Sequence, residues 1–138
     1  MIEEREKREE EIMSKDLKAT VEAFVKKFNG RYWDQAADLL DDDAVLSKVD
    51  DIKPPIVGRE EVRRYMKKNC EDDRPKFIWP PQQIHPHKVG SYAVVNGLAK
   101  YKDKEADKDT HKLRYLFVLR KDKKTGNWLF LLLYGKLV

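Results

Sequence analysis

Residues 112–137 read KLRYLFVLRKDKKTGNWLFLLLYGKL, and the way these side chains alternate decides what kind of fold the chain can adopt. Lys112–Arg120 and Trp128–Leu137 form two β-strands, because aromatic and branched side chains recur with period two. The segment KDKKTGN joins them as a hairpin, with Gly126 at a position that suits a left-handed turn. A sheet with one wet face alternates apolar and polar residues. Here both faces are apolar. Leu113, Tyr115, Phe117 and Leu119 share one side of the first strand, and Leu116 and Val118 lie on the other between Arg114 and Arg120. In the second strand Trp128, Phe130, Leu132 and Tyr134 alternate with Leu129, Leu131 and Leu133. One face must meet the core, and the other is expected to meet a second copy of the chain. Tyr115, Phe117, Leu131 and Leu133 are the candidate interface contacts. The sequence does not fix which face points outward, so their alternation partners stay open as contacts.

Upstream, Tyr92–Tyr101 reads as another strand, and the polar DKEADKDT at 103–110 as a loop. Phe77–Trp79 begins a strand that Pro80-Pro81 interrupts, since proline donates no ladder hydrogen bond. Before Pro75 the pattern is mostly helical. Leu17, Val21, Phe24, Val25 and Phe28 line one helix face, and Asn29-Gly30 supplies its C-cap. A second helix spans about Trp33–Leu40, stopped by Asp41-Asp42-Asp43, with Ala44–Leu46 as a brief strand. A third runs from Arg59 to Asn69, with Val62, Tyr65 and Met66 inward. The expected order is three helices, then a long antiparallel sheet, in an α+β domain over 17–138. Residues 1–16 form a charged helical extension supported by pairs such as Glu3/Lys7 and Arg5/Glu9.

The chain has 138 residues, enough for one domain with its own core. Charged residues reach 39%, against about 25% in ordinary globular domains. The surplus is uneven. Residues 1–16 hold seven acids and four bases, so residues 17–138 hold 18 acids and 25 bases, a net +7 within an overall +4. The longest apolar run, Trp128–Tyr134, has seven residues, far short of the ~20 of a membrane span. The N-terminus MIEEREKREEEIMSKD lacks the apolar centre of a secretory signal. A single cysteine, Cys70, excludes an internal disulfide and a cysteine-rich zinc cage. A reducing, cytoplasmic setting is expected.

Several motifs resemble the nuclear transport factor 2-like (cystatin-like, SnoaL-like) superfamily. They are Phe28-Asn29-Gly30 with Trp33-Asp34, Leu39-Leu40, Asp43-Ala44-Val45, Gly58-Arg59-Glu60-Glu61-Val62 and Gly126-Asn127-Trp128. Within it, Gly30, Gly58, Arg63, Tyr65, His85-Pro86-His87, Arg120, Asp122, Gly126 and Trp128 are most similar to the association (hub) domain of calcium/calmodulin-dependent protein kinase II. The resemblance covers about residues 17–138. It implies a curved antiparallel sheet wrapped around a long N-terminal helix, cone-shaped, with an arginine-lined pocket between helix and sheet. It further implies dimers that assemble into a ring. Arg63 stands where one family arginine is expected, Gly97 replaces a second, and Leu116 a third, with Arg114 two residues away. No kinase domain is present, so a complete chain of this kind would be a stand-alone hub-like protein.

Other chemistry is weighed against plainer roles. His85 and His87 share a strand face, but no third ligand has suitable spacing for zinc, so rim or half-buried histidines are expected. Asp41-Asp42-Asp43 lacks the glycine and distal glutamate of a calcium loop. Cys70 neighbours Glu71, Asp72 and Asp73, whose charge opposes a reactive thiolate. Steroid isomerases of this fold use an aspartate base, but the matching positions here are near Ser47 or Lys48, and Phe24 stands near their tyrosine. Residues 100–124 hold ten Lys/Arg against five acids, mixed in loops, which favours a solvated edge over a nucleic-acid surface.

The expected function is therefore non-enzymatic self-association into homodimers or a ring, with no cofactor, metal, nucleic acid or membrane partner. The alternative is a small-molecule-binding or catalytic SnoaL-like protein, taking a small acidic or aromatic ligand. Its pocket would be framed by Trp33, Arg63, Tyr65, His85, Asn96 and Arg114. A third reading is capture of acidic peptides or of the chain's own acidic N-terminus.

Overall fold

The computed structural model describes residues 2–48, 54–70, 76–78, 85–102 and 111–137. Asp50, Trp79, Pro80-Pro81 and the 103–110 loop, with the side chains of Cys70, His85 and His111, lie outside that description. Helix α1 spans Ile2–Asn29, α2 Trp33–Ala37 and α3 Arg59–Cys70. The strands are β1 Leu40–Lys48, β2 Ile56–Val57, β3 Lys76–Ile78, β4 His85–Val89, β5 Tyr92–Lys102, β6 His111–Lys121 and β7 Trp128–Leu137. They form one sheet in the order β2-β1-β7-β6-β5-β3, with β4 also paired to β5.

The α+β class and the hairpin follow the sequence reading. The helices-then-sheet order does not. The second helix ends at Ala37, and Leu40 opens a nine-residue strand that the sequence showed only as Ala44–Leu46. That strand pairs in parallel with the end of the chain, Val45 opposite Leu132 and Ser47 opposite Tyr134. A parallel partner more than 80 residues away leaves no local signal.

The sheet holds α1 on its inner face. Leu17, Val21, Phe24, Val25 and Phe28 pack with Val62 and Met66 of α3, and with Val95, Phe117, Leu119 and Phe130 of the sheet, in one buried cluster. Phe24 lies 5.0 Å from Phe130 between ring centroids, and Phe130 meets Phe117 edge-on at 5.4 Å. Such contacts supply directional packing beyond buried area.

The C-terminus of α1 departs from expectation. The amide of Arg31 donates to the Phe28 carbonyl and that of Tyr32 to the Lys27 carbonyl, the paired bonds of a Schellman cap. The left-handed residue is Arg31, at φ 63°, and not Gly30. A Cβ at Gly30 would stand 2.5 Å from the exposed Tyr32 ring, which would have to turn away. At the hairpin Gly126 does take the left-handed position, at φ 74°.

Candidate functional site

Which face of the hairpin points outward is settled by burial. Leu113, Tyr115, Phe117 and Leu119 are buried inside the domain, and so is Leu133. Tyr115, Phe117 and Leu133 therefore fill the core and are removed as interface contacts. In β7 the expected alternation breaks. Leu119 pairs with Phe130 but Val118 with Leu132, so Leu131 is an extra residue at a bulge. An inserted residue reverses the facing of everything beyond it. Trp128, Phe130 and Leu133 consequently all point inward, while Leu132 and Tyr134 join the outward set.

The outer face is thus built from Val94, Asn96 and Leu98 on β5, Leu116 and Val118 on β6, and Leu132 and Tyr134 on β7. Val94 is opposite Val118, Asn96 opposite Leu116, Val118 opposite Leu132 and Leu116 opposite Tyr134. Val45 and Ser47 extend the surface onto β1. These side chains are only half-buried. The buried side chains of all three helices belong to the inner cluster, so no described helix covers this face.

Charge frames it at both ends. At one end Arg120 reaches across β7 to Asp41 on β1, donating from Nε to Oδ2 at 3.0 Å and from Nη2 to Oδ1 at 2.6 Å. Hydrogen bonds to Asp41 and then Tyr92 push the guanidinium still further up from its high ordinary pKa. The Asp43 amide caps Asp41 Oδ1 at 3.0 Å. Asp41 is thus a buried ion-pair residue within a strand, where the sequence reading had a helix stop. At the other end Lys100 is opposite Lys112, and Arg114 opposite Lys136, all four exposed.

The proposed pocket set is divided by the sheet. Trp33 is buried on the helical side, with its indole Nε1 lacking a hydrogen-bond partner among the described residues. Arg63 lies on α3 and donates to Glu60 through Nη2 at 2.9 Å and to Asp34 of α2 through Nη1 at 3.3 Å. The Arg63 hydrogen bond holds the Glu60 carboxyl below its usual range. Tyr65 is half-buried on the same helix. Asn96 and Arg114 point the opposite way, because their neighbours Val95 and Tyr115 are the inward ones. They do not line an interior pocket with Trp33. The backbone of His85 is in register with Asn96, and its side chain is outside the described residues. Sequence reading missed Tyr115 as an interior polar group, whose hydroxyl burial pushes up to about 12. Its glycine neighbours on both strands, Gly97 and Gly135, were the available signal. Among the described residues no His/Cys/Asp/Glu group could hold a metal, and no helix is long and apolar enough to cross a membrane.

No protein-family model matches the chain, and no curated protein matches it. Solved structures do. A nuclear transport factor 2-like protein of Streptomyces avermitilis, provisionally described as a dehydratase, has TM-score 0.76 at 16% identity, over 93% of this chain and 97% of that one. A nuclear transport factor 2-like protein with a cystatin-like fold from Novosphingobium aromaticivorans has TM-score 0.78 at 8% identity, over 100% and 90%. A provisionally described calcium/calmodulin-dependent protein kinase II association domain of Xanthomonas campestris has TM-score 0.69 at 22% identity, over 87% and 84%. The chain has the nuclear transport factor 2-like, cystatin-like fold.

Proposed function

We propose that this chain is a non-enzymatic, hub-like self-association domain that dimerises through the outer face of its sheet. The observation that carries the reading is the run of half-buried apolar side chains there, Val94, Leu98, Leu116, Val118, Leu132 and Tyr134, with no described helix over them. Four strands about 4.8 Å apart and about ten residues long span a plane of roughly 600 Å². Side-chain relief raises the accessible area towards the ~800 Å² per partner of a standard stable interface. The likeness to a protein described as an association domain supports self-association. Higher assembly into a ring would need a second contact.

Light scattering and native mass spectrometry of the intact chain test this. A dimer or closed multiple is expected, and Leu116→Lys should shift it towards monomer. A monomer at about 100 µM, a hundredfold above a micromolar dissociation constant, would sink the reading.

A second reading, an interior ligand pocket, is favoured by the Trp33 indole donor, which has no acceptor among the described residues, since a buried unpaired N–H costs free energy unless something accepts from it. A small molecule retained in native mass spectra and lost on Trp33→Phe would support it.

A further inference from the structure

The exposed half of α1 and the basic end of the outer face are complementary, and nothing in a single described copy satisfies either. The helix stripe that buries Leu17, Val21, Phe24 and Phe28 continues upstream through Met13 to Glu6 and Glu3, at spacings of three, four and seven. The stripe thus turns from apolar to acidic where the helix leaves the core. Glu3 and Glu6 are exposed and form no ion pair among the described residues, so the expected Glu3/Lys7 pair is not formed, whereas Glu9 pairs with Arg5 at 3.5 Å on another side. On the sheet, Lys100 and Lys112 are cross-strand neighbours, as are Arg114 and Lys136. Like charges placed directly opposite destabilise a sheet. Among the described residues these four have no acidic partner either.

Phe24 packs on Phe130 of β7, and α1 touches β3, which lies three strands away and is in register with Lys100–Lys102. The helix touches β4 as well, which pairs with the opposite end of β5, at Tyr92–Asn96. From Leu17 to Glu3 it projects about 21 Å further at 1.5 Å per residue. It starts from the inner face, while the patch lies on the outer one, so one chain cannot close the contact with a straight helix.

We propose that the acidic side of the α1 extension in one copy docks on the Lys100, Lys112, Arg114 and Lys136 patch of a second copy. This rests on the self-association reading and adds to it a polar contact that fixes which copies meet and in what orientation. Opposite net charges on the two surfaces make the second copy the occupant.

A charge swap in the intact chain tests it. One variant carries Glu3→Lys and Glu6→Lys, and the other carries Lys112→Glu, Arg114→Glu and Lys136→Glu. All five positions are exposed, so both variants should keep the native circular dichroism spectrum and melting temperature. Each alone should self-associate roughly tenfold more weakly at low salt, with the difference shrinking as ionic strength rises. Mixed, they should recover native affinity, because in the mixed pair both contacts again join opposite charges. If the native chain self-associates and the variants do so equally well, or the mixture recovers nothing, the docking is overturned and the sheet-face reading stands. A native chain that is monomeric overturns both. A patch variant that loses binding to an oligouridylate while associating normally would assign the patch to nucleic acid instead.

Discussion

Arg120 grips Asp41 with a two-bonded fork across the intervening strand β7, joining the second strand of the sheet to the fourth in its spatial order. Asp41 is buried and sits in the irregular stretch between Leu40 and Val45, where β1 loses register with β7. The fork therefore closes a gap that the strand ladder leaves. Removing one partner leaves the other poorly satisfied, which costs more than the pair contributes. Asp41→Asn and Arg120→Gln should each lower the melting temperature. The double variant should fall clearly short of the sum of the two, as measured by a thermal double-mutant cycle. Additive losses would show that the two side chains act separately.

Arg31 gives a prediction that runs against the usual loss on truncation. Its left-handed backbone, φ 63°, costs about 1 kcal/mol in any residue but glycine. Its guanidinium lies 5.8 Å from the Phe28 ring centroid and 5.7 Å from that of Trp33, which offsets the strain. Arg31→Ala keeps the strain and loses the stacking, while Arg31→Gly loses both. Arg31→Gly should be the more stable of the two variants by about 1 kcal/mol in chemical denaturation. Equal stabilities would mean that the backbone there relaxes.

Tyr115 should limit stability in alkali. Burial raises its hydroxyl to about 12 from the ordinary value of 10.0. The unfolded chain thus ionises this group first. The stabilisation is complete below pH 10 and is lost as pH rises from about 10 to about 12, amounting to about 2–3 kcal/mol. Tyr115→Phe should remove that part of the alkaline loss. In an absorbance titration at the phenolate band, it should also delete one ionisation near pH 12. A Tyr115→Phe chain with an unchanged alkaline profile would refute the assignment.

Local patterns carried much of this fold, and long-range pairing carried the remainder. The stripe Leu17–Phe28 announced α1, and the alternation from Lys112 to Arg120 announced β6, because each period is written within a dozen residues. The outer face was foreseen as apolar but could not be chosen. One extra residue, Leu131, changes the facing of β7, and a bulge has no signature when Leu129–Leu133 are all leucine or phenylalanine. Strand β1 was nearly hidden, since Asp41-Asp42-Asp43 reads as a helix end until Arg120 and Arg59 are placed beside it. Arg59 donates to the Leu40 carbonyl at 3.1 Å and pairs with Asp42 at 2.9 Å. The pocket set mixed inner and outer residues because Asn96 and Arg114 look like pocket groups in type, and only the burial of Val95 and Tyr115 shows their direction.

Adjacent residues on β6 should separate folding from assembly. Phe117 is buried against Phe130 and stacks on Tyr115 at 4.8 Å, whereas Leu116 is half-buried on the outer face beside Asn96 and Tyr134. Phe117→Ala should cost about 3–5 kcal/mol, the usual range for a large core aromatic. Leu116→Lys removes far less from the core, so its unfolding midpoint in dilute solution should stay close to native. It should instead weaken self-association, because a charge at the centre of an apolar interface is desolvated without a partner. Denaturation at low concentration and sedimentation at high concentration read the two effects separately. If Leu116→Lys unfolds the chain while leaving the assembly intact in the folded fraction, the outer face serves the core alone, and the dimer must form elsewhere.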